Sequence, residues 1–150
     1  MAIRYRLIIF FILSLWCAGI FLEWFIRFDD HFLFAFPFIQ KTYLLVCHRE
    51  SSKLISFYTG ETLTCARCTG IYLGLLLSSF IFLFRYYNLI PDIKFLFLAS
   101  VPMFADVFLS SAGLYEYSKP AAFITGLLLG SVGFLYLYAG LNNLITEMKK

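Results

Sequence analysis

Charge is scarce in this chain of 150 residues. Twelve are Lys or Arg and 9 are Asp or Glu, so charged side chains make up 14% against 61% hydrophobic. Soluble domains carry about 25% charged and about 45–50% apolar residues. A globule of this size cannot hide so large an apolar excess behind its surface. A free-standing soluble protein is therefore excluded. Disorder is excluded too, because it needs the opposite balance of charge and hydrophobicity. No run of Lys and Arg forms a basic stripe, so nucleic acid has no electrostatic footprint here. Proline (4) and histidine (2) are rare. Glycine-rich phosphate loops, nucleophile elbows and HExxH helices are absent, which removes the best-marked nucleotide-binding, hydrolase and metalloprotease chemistries. What is there is apolar mass: the mean hydropathy is +0.83 and the mass 17.4 kDa. The chain reads as a small integral membrane protein, and its net charge of +3 suits contact with anionic lipid headgroups.

The apolar residues gather into four runs. The first covers residues 7–26, behind Arg4 and Arg6. A cleaved signal has an apolar region of about 7–15 residues followed by small side chains. This run is longer, and Phe21, Leu22, Trp24 and Phe25 stand where cleavage would fall. About 20 residues cross a hydrocarbon core of about 30 Å, so a retained helix is expected. The second run, 69–84, repeats Gly70, Gly74 and Ser78 along one helix face, a pattern that lets membrane helices approach closely. The third is 93–114, opened by Pro91-Asp92, and the fourth is 120–144, carrying Gly126, Gly130 and Gly133. These glycine faces suit packing inside a bundle, against a second copy, or against another membrane protein. Residues 27–68 differ. The run HFLFAFPFIQ is broken by Pro37 and is too short to span, which suits an interfacial or re-entrant segment. Residues 50–64 are more polar, with Gly60 as a turn signal. The expectation is an all-α bundle of about four transmembrane helices forming one membrane domain over 1–150, with a loop or re-entrant segment between helices 1 and 2. An N-terminus inside divides the 12 Lys and Arg equally between the two sides. Setting aside Arg49, Lys53 and Arg67, which lie among the motifs below, favours both termini in the cytoplasm of a prokaryotic cell membrane.

Of four cysteines, Cys17 sits mid-helix between Trp16 and Ala18 and reads as a small buried apolar residue. The other three cluster with a histidine as C-H-x16-C-x2-C: Cys47, His48, Cys65 and Cys68. A C-x2-C pair places two thiolates on one metal, and a second pair completes a tetrahedral set. Closing the intervening loop costs little, because that cost grows slowly with length. Zinc is the expected ion, with iron the rival. Cys47 and His48 are neighbours, and neighbouring side chains often diverge, so His48 is either the fourth ligand or an outer partner, with His31 a spare. Two other readings use the same residues. Cys65 and Cys68 at a helix N-terminus, beside Arg67, make a reactive dithiol. A structural disulfide from Cys47 is the other. A c-type haem is excluded, because Thr69 stands where C-x-x-C-H needs histidine.

Asp106 lies deep in the third apolar run. A carboxylate there costs several kcal/mol unless paired, protonated or wetted, and so marks a functional site. At helical spacing it shares a face with Ala99, Pro102, Met103, Ser110 and Gly113. That face should look into the bundle, with Asp106 a general base or an orienter of substrate, or simply bonded to a neighbouring helix. Tyr86, Tyr87, Tyr115 and Tyr117 near the helix ends fit an aromatic belt.

The runs VCHRESSKLISF and TCARCTGIYLG resemble a prokaryotic membrane-protein family known only as domain of unknown function 2085. Its hallmark is a CHQ-type tripeptide, a polar loop, and CARCTGIYxG opening a membrane helix. Cys47, His48, the run from Cys65 to Tyr72, and Gly74 match it. Pro102 with Asp106, and Thr125, Gly126 and Gly130, look like its later helices. Arg49 stands where Gln is usual and Lys53 where Arg is, and an arginine usual before the TG motif is missing. The resemblance implies weight on the Cys/His loop and on Asp106, and it names no substrate.

Overall fold

The computed structural model describes residues 3–26, 34, 36–48, 50–57, 60–84 and 92–147. In chain order these form α1 (Ile3–Ile20), α2 (Leu22–Ile26), α3 (Phe36–Val46), a 3-10 turn at Ser51–Lys53, strands β1 (Leu54–Phe57) and β2 (Gly60–Cys65), then α4 (Ala66–Phe84), α5 (Ile93–Ser111) and α6 (Lys119–Glu147). Four helices, α1, α4, α5 and α6, are long and apolar enough to cross a membrane. At 1.5 Å per residue the three shorter ones reach about 27–29 Å, the thickness of the hydrocarbon core.

The expected first helix over 7–26 is two pieces. It breaks at Phe21, whose N–H reaches back to the Ala18 carbonyl (3.1 Å) in a tighter, three-residue bond. Gly19 sits just before the break because the Tyr43 ring lies against it: a Cβ there would run into the Tyr43 hydroxyl. After the turn, α2 reaches the hairpin, where the Glu23 carboxylate accepts the Glu61 N–H at 2.8 Å. The stretch expected as interfacial contains α3, and the stretch expected as polar loop holds the antiparallel hairpin. Its register pairs Leu54 with Cys65 and Phe57 with Gly60, with a shift between Leu54 and Ser56.

α4 and α6 form the centre of the bundle by backbone contact. A Cβ at Gly70 or Gly74 would strike the Phe123 or Leu127 carbonyl, and one at Gly126 or Gly130 would strike those of Arg67 or Ile71. Lipid supplies no hydrophobic drive between helices, so such close approach and interhelical hydrogen bonds hold them. Ser78 adds one, donating to the Ser131 carbonyl at 3.1 Å. These four glycines are thus consumed inside the chain, while Gly133 has open space around it. On α5, only Asp106 is buried.

The two ends of the bundle differ. At one, Arg6 bonds the Phe82 carbonyl and lies over the Tyr138 ring, so the start of α1 meets the far ends of α4 and α6. At the other, the hairpin and α3 pack on the helix ends. A small core of Ile20, Leu22, Tyr43 and Leu63 forms there, with Trp16 and Tyr72 against it. That core is what supports the thiols.

Candidate metal centre

Each thiol comes from a different local structure. Cys47 follows α3, its N–H bonded to the Tyr43 carbonyl at 2.9 Å. Cys65 ends β2, and Cys68 lies in the first turn of α4. Threonines weld the strand to the helix. Thr62 accepts the Ile55 N–H at 3.1 Å and donates to the Thr64 carbonyl at 2.8 Å. The Thr64 and Thr69 hydroxyls meet at 2.9 Å, and Thr69 also reaches the Cys65 carbonyl at 3.1 Å. All three threonines are fully buried, where an unmade hydrogen bond is costly, so this network fixes the direction in which Cys65 and Cys68 point.

The sulfurs of Cys47, Cys65 and Cys68 lie within 4.8 Å of one another. Tetrahedral thiolates at about 2.3 Å from an ion stand roughly 3.8 Å apart, so the trio fits one ion with sub-ångström adjustment. None is in a disulfide. The Cys65 N–H donates to the Cys47 sulfur at 3.3 Å. The Cys65 thiol is pulled down to about 5, chiefly by the hydrogen bond from the Cys68 thiol, with burial opposing and the Cys68 N–H, the Cys47 thiol and the Arg67 N–H assisting.

The remaining candidates divide. His48 is exposed and outside the sulfur group. Cys17 is buried, its thiol directed at the Tyr72 carbonyl (3.5 Å), and is also outside it. His31 and Arg49 lie outside the described residues.

Asp106 is buried at 8% exposure. One carboxylate oxygen accepts from the Arg67 guanidinium and the other from the Tyr115 hydroxyl. Arg67 stands between two of the thiol-bearing residues, so a single side chain joins α5 to the centre. Its guanidinium lies 5.8 Å over the Tyr117 ring, and the Lys53 ammonium lies 5.7 Å from the same ring. Tyr117 is pushed up to about 12, first by burial, then by the charge on Cys65, with Arg67 opposing. Tyr115 is raised by its bond to Asp106. The Arg67 Nε and the Tyr117 hydroxyl are buried and find no hydrogen-bond partner among the described residues. By sequence Tyr115 and Tyr117 fit the aromatic belt; the signal for another role is their position just beyond the end of the helix that carries the intramembrane acid.

The arrangement defines a class: a small polytopic membrane protein in which the end of α3, a hairpin strand and the first turn of a long apolar helix gather three thiols at one end of the bundle. The chain belongs to the family described as predicted membrane protein (DUF2085), which matches residues 47–136, from Cys47 through Asp106 into α6. An uncharacterised protein of Methanocaldococcus jannaschii is 30% identical over 104 residues, covering 66% of this chain and 65% of its own length. One from Methanothermobacter thermautotrophicus is 35% identical over 109 residues, covering 69% of this chain and 93% of its own. The match thus spans just under two thirds of the first relative. No solved structure matches the chain.

Proposed function

We propose that the protein binds one zinc ion through the thiolates of Cys47, Cys65 and Cys68 in the prokaryotic cytoplasmic membrane, and acts there on the polar end of a hydrophobic or lipid-linked substrate. The convergence of three sulfurs within 4.8 Å, in a chain whose cysteines are free, carries this reading. Thiolates select zinc or iron. Three protein ligands leave a fourth position for water or substrate, as catalytic zinc sites do. A zinc ion there supplies a Lewis acid and an acidified water.

Around that position the chain's own groups have distinct tasks. Asp106 has both oxygens engaged, which makes it a positioning residue for Arg67 rather than a free base. The Arg67 Nε and Tyr117 hydroxyl, both without a hydrogen-bond partner among the described residues, are donors for an anionic or carbonyl oxygen. His48, exposed beside Cys47, takes no ligand role. Metal analysis of the detergent-purified full chain tests this. Zinc should be present, lost in Cys65→Ser and Cys68→Ser, and retained in His48→Ala. Wild-type protein without metal would overturn the reading.

A second reading has its own support. Cys65 is lowered, and the neighbouring Cys68 thiol is hydrogen-bonded to it at the start of α4, the setting of a reactive dithiol. In that case the purified protein holds no metal, and Cys65 and Cys68 alkylate only after reduction.

A further inference from the structure

Helix α3 is apolar on both sides, and among the described residues only one side is packed. Phe36, Ile39 and Tyr43 face inward and meet the cluster of Ile20, Leu22 and Leu63. The opposite side carries Phe38 and Leu45, 79% and 84% exposed, with Leu44 and Val46 half-exposed beside them. Phe38, Lys41 and Leu45 recur at the spacing of one helical face, and Lys41 is exposed with them. At about 16 Å the helix is too short to cross about 30 Å of hydrocarbon. It is nevertheless tied to a membrane-spanning helix: the Tyr43 hydroxyl donates to the Trp16 carbonyl of α1, and its ring lies against Gly19. Trp16 comes four residues before the end of α1, so that anchor reaches about 6 Å below the end of the span.

A helix that is apolar all round is buried in protein or in lipid, and here protein covers only the inner side. Water on the outer side would leave large apolar side chains in one exposed patch. A protein partner would have to bury Lys41 in the middle of that patch, and lysine is depleted at the cores of protein interfaces. The edge of a bilayer suits both residue types. Its acyl chains cover Phe38 and Leu45, while the lysine stem lies along them and its ammonium reaches water. We propose that α3 lies in the plane of the membrane at the boundary of headgroups and acyl chains, with phospholipid acyl chains covering its outer face. Interfacial amphipathic helices sink their apolar face about 5–10 Å in this way. The acyl chains, not a particular headgroup, are the ligand. Cys47 hangs from this helix, its N–H bonded to the Tyr43 carbonyl at 2.9 Å, so the lipid seat also holds the third thiol at headgroup depth. The seat is independent of metal binding.

Photocrosslinking of the full chain in phosphatidylcholine vesicles tests this, with Phe38 or Leu45 replaced by p-benzoylphenylalanine and the products read by mass spectrometry. Both positions should form adducts with lipid. They lie about 10 Å apart along the helix, so a helix standing out of the membrane would label lipid from one of them alone. Phe38→Asp should abolish the lipid adduct of the probe at Leu45, and Phe38→Leu should keep it. The two single-probe proteins decide the matter even where Phe38→Asp does not fold. Lipid adducts need no metal, so zinc measured in the same vesicles separates this result from failure of the thiol centre. Adducts joining two copies of the chain, lipid adducts from one position only or from neither, or a Leu45 adduct that survives in folded Phe38→Asp would each overturn the proposal.

Discussion

Arg67 and Asp106 expose only 18% and 7% of their side chains, respectively. Burying such a pair gains little net stability, but removing one partner strands the other charge, at about 3–5 kcal/mol. Asp106→Asn should therefore lower the unfolding midpoint in detergent strongly while leaving metal bound. Replacing both partners together (Arg67→Met with Asp106→Leu) should recover much of that loss. Equal instability of the single and double variants would show that ion pairing is not what Asp106 contributes. The sequence leaves Asp106 as a general base, an orienter of substrate, or an acid simply bonded to a neighbouring helix, and the structure places its carboxylate on Arg67 of α4 and on Tyr115. What no local reading supplied was its partner, 39 positions earlier in the chain. Arg67 stood out only as a neighbour that would acidify the thiols.

Among the elements, the α4–α6 pair sets the rules, because its helices meet backbone to backbone. Gly130→Ala would drive a methyl into the Ile71 carbonyl, and overpacking of this kind costs typically 1–3 kcal/mol. Gly133→Ala, three positions on with nothing near it, should be neutral or stabilising by about 0.5–1 kcal/mol, since alanine holds a helix better than glycine. Thermal unfolding of the two variants separates a packing role from mere spacing: equal effects would refute the assignment. The sequence put Gly126, Gly130 and Gly133 on one small-residue face, but periodicity alone cannot say which of them touches a neighbour. The hairpin was less visible. Its strands are short, and their burial is not a simple alternation: Thr62, Leu63 and Thr64 are buried in succession. The strand is enclosed on both sides, and the polar threonines there are satisfied by one another.

Across the whole molecule, the helices and the thiol centre depend on different forces. The spanning helices satisfy their own backbone groups, and α4 and α6 are held together by glycine contacts. The hairpin is held by Glu23, by the threonine network and, in the proposed state, by metal. Chelation should therefore raise amide exchange at residues 60–65 while leaving helical circular dichroism unchanged. Loss of helix in step with metal would show that the bundle itself needs the ion. An ion bound only to the folded state also adds stability that grows with its concentration, so the same experiment should show a midpoint that rises with added zinc.

The sequence by itself determined that this is a membrane protein with four apolar spans. Hydropathy accumulates residue by residue, and a run of sufficient length has few alternatives in lipid. It also marked Cys47, Cys65, Cys68 and Asp106, because thiols in this spacing and a carboxylate in an apolar run stand out against so apolar a background. Only the tertiary structure decided that Cys47 joins the C-x2-C pair while His48 stays outside, that Asp106 answers Arg67 and Tyr115, and that four glycines serve contacts within the chain. Those outcomes depend on strand register, on the break at Phe21 and on how helices dock. Each brings together residues far apart in sequence, and no local pattern encodes that distance.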